Sequence, residues 1–320
     1  MLNQLNISMR RSVGYNAAPI TMLLCAACWG IGTVMSKNNL LSFPPLLLLV
    51  VQLMASCAVL WTAVLLSKTP VNWSWANIRL GWIGILEPGL AYVFGMFGLA
   101  RTSATSASLI TATEPIMTII LAWMLLREPL GRRTLGIVAV AMVGTLIVSL
   151  YGGQAQGQTL IGDAMLLISV LCAAFYGVMN RQHITHLPPL HMTAVQHTFG
   201  LLCAVAFLPI AFMAGEANQL ADITASGWLM AIATGIVQYA LAFLLYMRAL
   251  KHLTATHASV YLMAVPLFGI TGGALFLGEQ LSLAQMLGSA LILFALIKLR
   301  TAPEDTPAPL SLPMPETAQC

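Results

Sequence analysis

Ten stretches of mostly apolar residues divide the 320-residue chain, each about the length that carries a helix across ~30 Å of hydrocarbon. They lie near 18–36, 45–66, 77–99, 104–126, 133–150, 160–180, 190–213, 226–247, 254–276 and 281–299. In lipid a helix satisfies every backbone donor and acceptor internally, so runs of this kind fold as spanning helices. Only 8% of residues are charged and 59% are hydrophobic, whereas a soluble domain carries roughly 25% charge. The expected fold is an all-α membrane protein with ten transmembrane helices.

Charge placement sets the expected orientation. With the N-terminus in the cytoplasm, Arg10, Arg11, Lys68, Arg79, Arg127, Arg132, Arg133, Arg181, Arg248, Lys251, Lys298 and Arg300 fall inside, and only Lys37 and Arg101 outside. That is the positive-inside pattern, and it selects N-in and C-in. It also accounts for the formal net charge of +4 without a nucleic-acid partner. Of six cysteines, Cys25, Cys28, Cys57, Cys172 and Cys203 fall within spans, so no disulfide framework is implied.

The chain carries one pattern twice. Pro44-Pro45-Leu46 with Gln52 returns as Pro188-Pro189-Leu190 with Gln196, offset by 144 residues. Thr105-x-Ala107-Ser108, Pro115 and Glu128 return as Thr256-x-Ala258-Ser259, Pro266 and Glu279, offset by 151. A longer loop near Gly215–Asp222 accounts for the difference. Five spans per copy is an odd number, so the second copy is expected inverted, as in many secondary transporters. The expected organisation is a cytoplasmic N-terminal segment at 1–17, five-helix repeats at 18–150 and 160–300, a linker at 151–159 and a Pro-rich disordered cytoplasmic tail at 301–320.

Ionisable residues inside a bilayer are costly, and function is their default explanation. Glu87 and Glu114 each lie ten residues into a span, roughly 15 Å deep at 1.5 Å per residue. Thr111, Glu114 and Thr118 stand at helical spacing and suggest one polar stripe. Pro115, after Glu114, frees a backbone carbonyl one turn earlier. The duplicate of Glu87 is Gln238, and the pair suggests a lined cavity. Tyr176 and Asn180, His257 and Tyr261, and the aromatics Trp29 and Tyr92 complete the expected substrate-binding set, with Pro115 and Pro266 as hinges. Packing between helices is the rival explanation for Glu114, and interfacial anchoring for the aromatics. Trp73, Trp75 and Trp82 look interfacial, and His183, His186 and His191 are expected in a solvated loop without a metal partner.

Ala104-Thr105-x-Ala107-Ser108-Leu109, Glu114-Pro115-Ile116 and Leu126-Arg127-Glu128-Pro129-Leu130 resemble the EamA pattern of the drug/metabolite transporter superfamily. Ala255-Thr256-x-Ala258-Ser259, Val265-Pro266-Leu267 and Leu277-Gly278-Glu279-Gln280-Leu281 repeat it, over about residues 18–300. The resemblance implies two inverted five-helix repeats, alternating access around a central cavity, and export of amino acids or related metabolites across an inner membrane. It implies no cofactor. Glu128 and Glu279 match the family's Gly-Glu element, and their boundary position suggests capping. Gln52 and Gln196 stand where the family often has Arg, which weakens the case for an anionic substrate. Glu87 departs from the pattern and suggests a cationic substrate group or a coupling proton.

The expectation is therefore a multi-pass secondary transporter for a small molecule in the lipid bilayer, with protons as the candidate coupling ion. An exporter of drugs or organic cations is the rival within the class. An intramembrane enzyme is the rival from another class; its best constellation, His257 with Glu114, lacks a positioned nucleophile.

Overall fold

The structure, a computed structural model, describes residues 2–40, 42–67, 69, 73–99, 101, 110–111, 113–150, 160–184, 187–213, 223–277 and 282–300. Every regular element among them is helical: α1 Leu2–Asn39, α2 Pro45–Leu66, α3 Trp75–Arg79, α4 Ala91–Leu99, α5 Glu114–Leu121, α6 Arg132–Leu150, α7 Leu160–His183, α8 Pro189–Met213, α9 Ala225–Thr234, α10 Ala242–Leu250, α11 Ala255–Leu262, α12 Val265–Leu277 and α13 Leu283–Arg300. Among the described residues six helices are long and apolar enough to cross a membrane, and Glu114–Leu126, Ala255–Gly269 and Met286–Leu299 are shorter apolar helices. The linker at 151–159, the tail at 301–320 and Thr105, Ala107, Ser108, His186 and Glu279 lie outside the described residues.

The distribution of side chains is that of a protein surrounded by lipid. Leu65 is 82% exposed and Leu160 85%, while Gln52, Asn180, Gln196 and His197 are fully buried. Water would penalise the first pair and the hydrocarbon would penalise the second.

Wide turns interrupt the long helices where the polar residues sit. A π-helical segment, Ile85–Leu90, joins α3 through a short 3-10 turn to α4, and a second, Gly235–Leu241, joins α9 to α10. Glu87 has extended backbone angles inside the first, φ −150° and ψ 128°, and precedes Pro88 in a cis peptide. Gln238 occupies the second. Two further interruptions precede prolines: α5 begins at Glu114 with Pro115 in its first turn, and α12 begins at Val265 with Pro266. Proline tolerates the first helical turn because its missing N–H would be unpaired there anyway.

The first of these breaks falls within the expected polar stripe. Thr111 lies before it and is exposed, whereas Thr118 lies after it and is buried. Ala112 between them lies outside the described residues, and α5 begins at Glu114.

Contacts between the two halves of the chain follow an exchanged order. α2 packs along α8, and α6 along α13. α4 packs on α7 and α10 on α1, while α5 packs on α7 and α12 on α1. Gly84 meets the backbone carbonyl of Gln196, and Gly235 meets that of Gln52. Only a residue without Cβ permits such an approach.

Candidate functional site

Glu87 leaves the helical path at its π-helical segment, and Glu114 opens α5. Each is thus carried by an irregular piece of backbone in the middle of the molecule. Glu114 lies within electrostatic reach of Glu87. Glu87 in turn acts on Tyr92, Tyr176, Tyr239 and Tyr246. Glu87 and Glu114 are both half-buried as residues.

Aromatic rings form a wall beside Glu87, and Phe243 of α10 is their hub. Its ring meets Trp29 edge-on at 5.1 Å, Tyr176 at 5.7 Å and His197 at 4.8 Å. Tyr239 lies nearly parallel to it at 6.3 Å, and Tyr92 sits 4.9 Å from Tyr239. Tyr246 stacks with Tyr176 at 6.1 Å and meets Trp29 at 5.8 Å. Edge-to-face and offset contacts at these spacings hold a rigid box whose ring faces carry negative potential. Trp29 Nε1 and Tyr239 OH are buried and have no hydrogen-bond partner among the described residues, which costs about 1–3 kcal/mol per group.

Two hydrogen-bonded chains support this wall. Gln52 Nε2 donates to Ser36 Oγ at 3.0 Å, and Ser36 donates to Gln238 Oε1 at 2.6 Å. Gln196 Nε2 donates to Asn180 Oδ1 at 2.6 Å, and Asn180 Nδ2 donates to the Tyr176 carbonyl at 3.0 Å. Gln52 and Gln196 are thus neutral amides fixed to neighbouring helices.

The expected set divides in space. Ring contacts and charge bring Trp29, Tyr92, Tyr176, Glu87 and Glu114 together, and Asn180 and Gln238 join through the amide chains. Tyr261 is buried in the same core. His257 stands at the start of α11, where its Nδ1 pairs with Thr254 Oγ1 at 2.9 Å beside Glu128 and Pro129. Thr111 is exposed. Pro115 and Pro266 mark real interruptions. His191 is not solvated but 2% exposed on α8, with its ring 5.7 Å from Trp73. The apolar run that follows carries it into the bundle.

Glu128 behaves as a cap. Its Oε1 accepts from the Ala255 N–H at 2.9 Å, and Oε2 accepts from the Thr256 N–H at 3.0 Å and the Thr256 hydroxyl at 2.8 Å. A cleft of about 520 Å³ lies beside it, lined by Trp123, Met124, Arg127, Glu128 and Pro129. It opens outward, and its one carboxylate is already fully engaged. Among the described residues no group of three or more His, Cys, Asp or Glu could hold a metal ion.

Comparison with known proteins decides the family. The EamA-like transporter family matches residues 16–150 and, a second time, residues 160–301. This chain belongs to the EamA-like transporter family. An uncharacterized transporter of Archaeoglobus fulgidus is 22% identical over 280 residues, covering 87% of this chain and 96% of that protein. The uncharacterized transporter YetK of Bacillus subtilis is 23% identical over 219 residues, 67% of this chain and 66% of its own. A solved crystal structure superposes with a TM-score of 0.72 at 18% identity, covering 89% of this chain and 96% of that one, which establishes the fold. The EamA-like protein is a multi-pass membrane transporter.

Phe243 and His197 were not legible as site residues. Each lies in an apolar run where a ring reads as core. The signal available was the spacing of Tyr239, Phe243 and Tyr246, which puts three rings on one face of a helix.

Proposed function

We propose that this EamA-like protein is an inner-membrane secondary transporter that exports small metabolites, amino acids foremost, by alternating access. Its ten helices form two inverted five-helix repeats with both termini in the cytoplasm. The exchanged helix pairs, the matched glycine contacts and the twin amide chains support the duplicated, inverted arrangement. In this reading Glu87 and Glu114 take the ligand's ammonium group or a coupling proton, and the rings of Trp29, Tyr92 and Tyr176 clasp its organic part. Asn180 and Gln238 shape the pocket, Tyr261 closes it, His257 and Thr111 line the path, and Pro115 and Pro266 act as pivots.

The observation that carries the reading is the conjunction of two neighbouring carboxylates within the helices with an aromatic box beside them. Ammonium groups bind carboxylates and ring faces alike. The unpartnered N–H of Trp29 favours amino acids over simple amines, because it offers a donor to the ligand's carboxylate. An organic-cation exporter is the second reading, favoured by the box alone.

Flux of radiolabelled amino acids in proteoliposomes, with and without a pH gradient, tests this. Glu87→Gln or Glu114→Gln should abolish the response to the gradient. An unchanged response in both variants overturns the coupling role. Uptake of quaternary ammonium compounds without any amino-acid flux selects the second reading.

A further inference from the structure

We propose that Glu128 is a clasp between the two halves of the transporter, closed in this structure and opened once in every transport cycle; this rests on the transport reading above. The residue follows the π-helical segment Ala122–Leu126, and Arg127 turns the chain in a left-handed conformation, φ 54°. That turn ends the helix and throws the Glu128 side chain sideways onto the start of α11, more than 120 residues away in sequence. Glu128 is only 8% exposed there. Its two oxygens take the N–H groups of Ala255 and Thr256 and the Thr256 hydroxyl, while Thr254 Oγ1 takes the N–H of His257 at 3.0 Å. The first N–H groups of α11 are thereby paired, two of them by a carboxylate from the other half.

The chemistry suits a contact that forms and breaks. A carboxylate at a helix N-terminus is favourable through the helix dipole and charge-assisted bonds. When the helices part, the carboxylate and the amides are all hydrated again, so opening exposes no unsatisfied apolar surface at this point. For permanent cohesion, well-packed apolar side chains serve as well as a buried charge. The element it holds is also short. α11 runs only from Ala255 to Leu262, and the helix is interrupted at Met263–Ala264 before α12 begins. Released at Glu128, α11 can pivot at that interruption and carry His257 and Tyr261 with it. Glu128 is therefore a positioning residue: it acts on the pathway through α11 and touches no substrate.

Two measurements on the full-length protein in lipid nanodiscs and proteoliposomes test the clasp. In the first, the native cysteines except Cys57 are replaced and Ser259→Cys places a reporter thiol one turn below Thr256, at a position 4% exposed. Glu128→Gln and Thr256→Val should each raise maleimide labelling of that thiol about tenfold, the ratio expected from losing one charge-assisted bond. Labelling of buried Cys57 on α2 should stay unchanged. Unchanged labelling at 259, or a joint rise at 259 and Cys57, overturns the proposal, since the latter describes general loosening of the fold.

In the second, Thr134→Cys and Thr254→Cys, which line one small cavity with Glu128, are bridged by a short bifunctional thiosulfonate. Bridging should stop flux, and a reductant should restore it. Full flux through the bridged protein overturns the proposal. If the unbridged protein carries no flux, the transport reading fails, and the labelling result still decides whether Glu128 holds α11.

Discussion

Gln196 donates its side-chain amide to Asn180 at 2.6 Å, across an interval of 16 residues. Gln52 makes the same contact with Ser36 at 3.0 Å, also across 16 residues. Beyond these pairs the chains diverge. Ser36 passes on to Gln238 from a different helix, whereas Asn180 returns to the carbonyl of Tyr176 on its own helix. The partner position of Gln238 is Glu87, which takes no part in either of these amide chains.

Loss of either amide should weaken the fold. Gln196→Ala strands the buried Asn180 carbonyl, and Gln52→Ala leaves Ser36 with one partner fewer. Each variant should lose about 1–3 kcal/mol, read as a lowered Tm by differential scanning fluorimetry in detergent. Gln196→Glu should fare worse than Gln196→Ala, because it places an unpaired charge at a fully buried position.

The glycine contacts predict a sharper contrast. A Cβ at Gly84 would overlap the Gln196 carbonyl, and one at Gly235 the Gln52 carbonyl, while one at Gly136 would meet nothing within 4 Å. Gly84→Ala and Gly235→Ala should abolish monodisperse protein in size-exclusion chromatography. Gly136→Ala should express normally and gain up to about 1 kcal/mol from helix propensity.

Exchange of Glu87 and Gln238 tests whether the halves are equivalent. Glu87→Gln alone should remove gradient-driven flux. The double variant Glu87→Gln with Gln238→Glu should recover part of it if a carboxylate on either half reaches the same site. Recovery below the background of empty liposomes means that only the first half can present the charge.

Trp29 should discriminate among ligands. Trp29→Phe keeps a ring against Phe243 but removes the unpartnered N–H. Amino acids should lose roughly tenfold in apparent affinity, about one hydrogen bond, while the corresponding amines without a carboxylate should lose little. Equal losses for both would show that the ring alone matters. Competition by unlabelled ligands in the flux assay measures both.

Much of this molecule is legible in its sequence for a definite reason. Lipid offers the backbone no partners, so runs of apolar residues have one structural outcome, and helices were expected at the positions where α2, α7 and α8 stand. Glu87, Glu114 and Trp29 stood out as candidates because charge and aromatic bulk are conspicuous in an apolar run. His197 and Phe243 were not, since their importance lies in which rings they touch. His191 was misplaced because proximity in sequence to His183 and His186 says nothing about the helix start between them.

By itself, the sequence determined a lipid-embedded helical protein of the EamA-like family, with acidic groups in its spans and a duplicated pattern along its length. Hydrophobicity and spacing are local properties, and they survive the reading of one residue after another. Tertiary structure alone decided that Phe243 joins five rings, that Glu128 caps a helix from the other half, and that His257 stands beside Thr254. Those depend on distances between residues far apart in the chain, which are set by helix packing and by the angles of a few irregular turns.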